Sequence, residues 1–121
     1  MLNLPPSVKI FLAREPADMR RSFDGLAELV RQNLGSDPLS GHLFVFRGKR
    51  GDRIKVLYWD EAGLTLWYKR LEEGNFRFPP TSPDVAKLEI RSAELTLLLD
   101  GVDLASVKRQ KRYRRAPTTP P

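Results

Sequence analysis

The sequence predicts an α+β domain: an antiparallel β-meander of about four to six strands, with one longer N-terminal helix and a short C-terminal helix. Three observations carry this. Between Met19 and Leu34 the apolar residues recur at steps of four, three, one, three and four, the stripe of an amphipathic helix. From Leu43 onward the apolar period changes to two, as on strands with one covered face. The alternating runs are separated by short turns containing glycine, "GKRGD" at 48–52 and "EAG" at 61–63, as hairpins prefer.

In chain order, residues 8–13 form a short apolar run bounded by Pro5, Pro6 and Pro16, which reads as a strand. Asp18 is placed to cap the following helix, its carboxylate accepting from free amides of the first turn. The stripe Met19, Phe23, Leu26, Ala27, Val30 and Leu34 faces the core, and Gly35 ends the helix. Gly25 inside the helix costs about 1 kcal/mol against alanine, which points to a close contact with a strand. Residues 43–47, 53–60 and 64–71 read as three strands, 76–78 as a fourth and 88–90 as another short one. Ser92 caps a short helix over "AELTLLLD", which Gly101 stops.

The chain has 121 residues, enough for one domain with a modest core. It has no cysteine, which excludes disulfides, thiolate zinc sites and a cysteine nucleophile. No apolar run reaches membrane-spanning length, and the N-terminal apolar part is too short for a signal peptide, so a cytoplasmic protein without a membrane partner is expected. The net charge of +6 is unevenly placed. All 15 acids lie before residue 107 with 15 of the 21 Lys and Arg, so that segment is neutral. The excess sits in "KRQKRYRR": Lys108, Arg109, Lys111, Arg112, Arg114 and Arg115. Such a block repels itself and suits an arm for an anionic partner, although a solvated tail without a partner has the same composition. "APTTPP" follows and reads as disordered or extended. The expected organisation is a single α+β domain over 1–106 and a basic, proline-ending tail over 107–121.

Catalytic chemistry finds little support. His42 is the single histidine, and one histidine does not make a metal site. Asp18, Asp24, Asp52, Asp60 and Glu61 are the carboxylates that an acid-based nuclease site would draw on, but no spacing marks them as a cluster. No phosphate loop of the GxxxxGK[ST] type occurs. We expect no enzyme activity and no cofactor. The basic hairpin is more informative. Arg47, Lys49, Arg50, Arg53 and Lys55 fall within nine residues, with Arg53, Lys55, Leu57 and Trp59 on one strand face. Cations that meet phosphates beside rings that stack on bases suit nucleic acid. For Trp59, Trp67 and Tyr68 a place in the core is the favoured expectation, whereas the turn cations suit a phosphate grip and a merely soluble hairpin about equally. The candidate nucleic-acid contacts are therefore the five hairpin cations and the six of the tail.

"EPADMRRSFDGLAELV" (15–30), "GHLFVFRGKRGDRIKVLYWDEAGLTLWYKRLEEGNFRFP" (41–79) and "AELTLLLDGVDL" (93–104) together resemble the small accessory protein of IS66-type bacterial insertion sequences, the TnpB or Orf2-like family. The resemblance covers roughly residues 8 to 104 in unbroken order. It implies an accessory role in transposition beside a larger DDE-type transposase and a small helix-turn-helix protein, and it carries over no catalytic residue. Two functions follow from residues and resemblance together. One is a non-catalytic factor that binds DNA, or RNA, through phosphates with low sequence specificity. The other is an adapter that docks on the transposase or its helix-turn-helix partner.

Overall fold

The computed structural model describes residues 4–103. Seven elements follow in order: β1 (Ile10–Ala13), α1 (Phe23–Gln32), β2 (Leu43–Arg47), β3 (Arg53–Trp59), β4 (Leu64–Arg70), β5 (Lys87–Ile90) and α2 (Ser92–Leu99). They build one five-stranded sheet in the order β4-β3-β2-β1-β5. The class is α+β as expected, but the sheet is mixed. β1 runs parallel to β2, pairing Ile10 with Leu43 and Leu12 with Val45, while the other three pairings are antiparallel. The cause is connectivity. A helix lies between β1 and β2, and a helical crossover returns the chain to start the next strand at the same end. Only β2, β3 and β4 form the expected meander.

Further expectations are corrected, among them the cap of α2, which is Arg91 and not Ser92. The N-terminal helix is not the long one foreseen, having 10 residues against eight in α2. Ser22, not Asp18, is its N-cap, because Asp18 turns back on Arg20 through an Asx turn. Residues 76–78 form no strand. Phe76 mimics strand alternation but is a plug, 2% exposed in the core, with its N–H bonded to the Gly51 carbonyl at 2.7 Å. Pro79 and Pro80, which follow, have no N–H to give a ladder. The contact at Gly25 is also not with a strand. A Cβ there would meet the Arg21 side chain at 3.1 Å, and the Arg21 guanidinium donates to the Gly25 carbonyl.

Each sheet face has its own core. Ile10, Leu12, Leu43, Val45, Ile54 and Val56 pack under Leu95, Leu98 and Leu99 of α2, with Phe76 beside them. On the other face Phe44, Phe46 and Leu57 pack under Leu26, Ala27 and Val30 of α1. Leu26 and Val30 are fully buried, and each contributes about 1.5–3 kcal/mol, which outweighs the cost of Gly25. Gly35 at φ +59 and Gly101 at φ +82 follow the two helix ends in the left-handed conformation that closes helices.

Candidate nucleic-acid interface

The turn between β2 and β3 is held against the segment that precedes α1. Ala17 forms a parallel bridge with Gly48, and its N–H bonds the Arg47 carbonyl at 2.8 Å. A Cβ on Gly48 would fall 2.7 Å from Met19 Cγ, so any larger residue here would have to displace the Met19 side chain. The consequence is a cleft of about 290 Å³ that gathers Arg20, Lys49, Arg50 and Arg53 with Asp18 and Asp52.

Asp18 fixes one wall. Its carboxylate accepts from the Arg20 N–H at 2.9 Å, from Nε at 3.1 Å and from Nη2 at 2.7 Å. The Arg20 guanidinium, and then the Arg20 N–H, hold the Asp18 carboxyl well below the usual carboxylate range, and Arg20 is raised in return. The Arg20 side chain is otherwise in water, 92% exposed.

Arg53 forms the opposite wall. Its Nη1 donates to the Tyr68 hydroxyl at 3.3 Å, and its Nε is buried without a partner among the described residues. An orphaned buried donor costs about 1–3 kcal/mol. Lys49 and Arg50 are exposed at the tip.

The structure divides the five hairpin cations. Lys49, Arg50 and Arg53 share the cleft. Lys55 does not reach the surface. It lies under the segment that leads into α1, 5% exposed, and its ammonium donates to the carbonyls of Met19 at 2.8 Å and Arg21 at 2.6 Å. The reason is parity: Lys55 shares its face with Leu57, and α1 covers that face. Arg47 lies on the opposite face, its guanidinium 5.1 Å from the Phe78 ring centroid. It lines a separate cleft of about 300 Å³ with Arg14 and Glu15. Lys108, Arg109, Lys111, Arg112, Arg114 and Arg115 lie outside the described residues, as does the expected boundary at 106 and 107.

The aromatics also divide. Trp59 and Trp67 are half-buried, and Trp67 packs on the α2-side core. Tyr68, expected in the core, is instead 48% exposed.

The other candidates have structural roles. His42 Nδ1 accepts the Lys9 N–H at 2.9 Å, and its ring meets Phe11 edge-on at 6.0 Å. Asp60 accepts from the N–H groups of Gly63 and Ala62, which lower its carboxyl from the ordinary value. Among the described residues no group of three or more His, Asp or Glu stands where it would hold a metal ion. No helix among them is long and apolar enough to cross a membrane.

Arg20 and Tyr68 escaped the sequence reading. The signal for Arg20 was the Asp18-Met19-Arg20 spacing, an Asx turn that aims the arginine back at its own carboxylate. Tyr68 carried a weaker one: Lys69 and Arg70 follow it at the end of the meander, where an outer edge strand is only partly covered.

The fold and the cleft define a small mixed-sheet domain, with a helix on each face and a cationic turn at one end. The chain belongs to the IS66 Orf2-like protein family, whose model matches residues 8–109. The match runs beyond the motifs that carry the resemblance and takes in Lys108 and Arg109. The chain is 41% identical over 110 residues to the uncharacterized protein y4jC of Sinorhizobium fredii, covering 91% of this chain and 92% of that one. It is 40% identical over 103 residues to the uncharacterized protein y4hO of the same organism, covering 85% and 88%. No solved structure matches the chain. Membership associates the protein with the transposition of an insertion sequence.

Proposed function

We propose that the protein is a non-catalytic accessory factor of transposition that binds DNA phosphates, working in the cytoplasm beside the transposase and the small helix-turn-helix protein of the same element. The observation that carries this is the convergence of Lys49, Arg50 and Arg53 with Arg20 on one cleft of a domain whose charges balance overall. Phosphate contacts position a protein on DNA without reading its sequence, so specificity is low. The basic segment 108–115 supplies the larger share of the charge.

The test is a DNA titration at several salt concentrations. It compares the full chain, a Lys49→Ala/Arg50→Ala variant, and a variant with the six tail cations changed to glutamine. If six phosphates are neutralised, log affinity falls against log salt with a slope of about −5. The tail variant flattens the slope most. Salt-independent or absent binding by the full chain sinks the reading.

One observation favours the adapter instead. β4 is an outer strand of the sheet, and its Leu64, Leu66 and Trp67 are only half-covered. Edges of this kind accept a partner strand. Capture of the transposase by full-length protein that binds no DNA is the outcome that selects it.

A further inference from the structure

The register of β3 and β4 sets Lys55 opposite Tyr68 and Arg53 opposite Arg70. The Lys55 ammonium lies 4.6 Å from the Tyr68 ring centroid and is fixed there by its two carbonyls. One side of the ring is thus backed by a buried cation, while Tyr68 as a residue is 48% exposed. The Arg53 guanidinium holds the hydroxyl at 3.3 Å, which fixes the ring's position. Arg53, Tyr68, Arg70 and Glu72 border an open depression of about 450 Å³. Arg70 pairs with Glu72 at 3.2 Å, yet it still stands directly across from Arg53. Like charges opposite each other on paired strands repel, and an anion between them relieves this.

The geometry points to Tyr68 as a stacking platform for an unpaired DNA base. The flanking phosphates would be taken by Arg70 and by Arg53, which also lines the hairpin cleft. Base-on-ring stacking with cations beside it is how proteins hold single strands, because every base has a flat face to offer. In a duplex those faces are already stacked on neighbouring bases, so the ring has nothing to meet. Lys49 and Arg50 serve either form of DNA. Tyr68 serves only the unpaired one. This inference rests on the DNA-binding reading above and names its substrate class as unpaired DNA.

The experiment measures binding of full-length protein to a labelled oligothymidylate and to a mixed-sequence duplex of equal length, at one salt concentration. The variants are Tyr68→Ala, Tyr68→Leu and Tyr68→Phe, each checked by thermal melting. Tyr68→Leu keeps apolar cover over the Lys55 stem if the alanine variant fails to fold. The expected result is a loss of about tenfold in single-strand affinity for Ala and Leu, near-parent binding for Phe, and duplex affinity unchanged to about twofold. Single-strand binding that is unaffected in both Ala and Leu overturns the proposal while leaving duplex binding through the cleft intact. Equal losses for both DNA forms also overturn it. A parent chain that binds neither form defeats the DNA-binding reading and this inference with it. Oligouridylate bound about tenfold more tightly than oligothymidylate overturns the assignment to DNA.

Discussion

Arg50 and Lys55 stand five residues apart on one hairpin and carry the same charge, but they live in opposite surroundings. Arg50 is exposed at the turn beside a cleft. Lys55 is buried with its ammonium on two carbonyls of the segment that leads into α1. The strand lysines repeat this pattern. Lys69 of β4 donates to the Leu99 carbonyl at the end of α2 at 2.8 Å. Lys87 of β5 reaches the Leu34 carbonyl just past α1 at 3.1 Å, and the Ser36 hydroxyl. Lys69 and Lys87 meet carbonyls at the C-terminal ends of helices, where the helix dipole favours an ammonium, whereas the carbonyls that hold Lys55 belong to the segment before α1. Turn cations face water and whatever anion arrives. A cation's chemistry here is set by the layer above it.

The largest expected break in this comparison is Lys55→Ala. Hydrogen bonds to charged groups contribute about 1.5–3 kcal/mol each, and this change orphans two carbonyls at once. We expect a loss of about 3 kcal/mol, read from the midpoint of chemical denaturation at constant slope. Lys87→Ala is expected to cost about 1.5 kcal/mol, since that ammonium is only half-covered. If instead both substitutions are neutral, the distinction between strand and turn cations collapses.

Lys49→Ala and Arg50→Ala should fall at the other end. Each is expected within about 0.5 kcal/mol of the parent in stability. On DNA each should reduce the salt slope by about 1. A variant that unfolds the domain without touching DNA affinity would reverse the assignment.

The smallest effect concerns Asp18 and Arg20, which join the two regions. The Asp18 carboxyl is depressed below its ordinary value of 3.8 when folded. Its contribution is therefore complete above that value and fades as pH falls below it, because the unfolded chain takes up the proton first. Comparing the parent with Asp18→Asn should show a small stability gap at neutral pH that closes on the acid side. Since the pair is exposed, high salt should shrink the gap. A gap that widens in acid would contradict the pairing.

How much of this was legible varies by element. The hairpins were readable because turn chemistry is local: glycines at 48, 51 and 63 do their work within a few residues. The parallel pairing of β1 and β2 was also within reach, since a helix between two strands is itself the signal for a crossover. Phe76 was harder. Phe76, Arg77 and Phe78 alternate as a strand does, and only the packing of the core shows that one ring fills a gap under α2. The cleft was half legible. Lys49 and Arg50 announce themselves, but Arg20 joins them because the segment after β1 bridges to the turn through Ala17 and Gly48.

By itself the sequence determined the family, the two helices, the core of the β-meander, the positions of the turns and the neutral charge of everything before the tail. These rest on residue identity, short spacings and counting, which need no partner in space. The tertiary structure decided which cations see solvent, which ring stays open and which strands run parallel. Those depend on what covers each sheet face. The segment that leads into α1 closes over Lys55 while Arg53 lines the cleft, and two positions on the same side of one strand thereby acquire opposite roles.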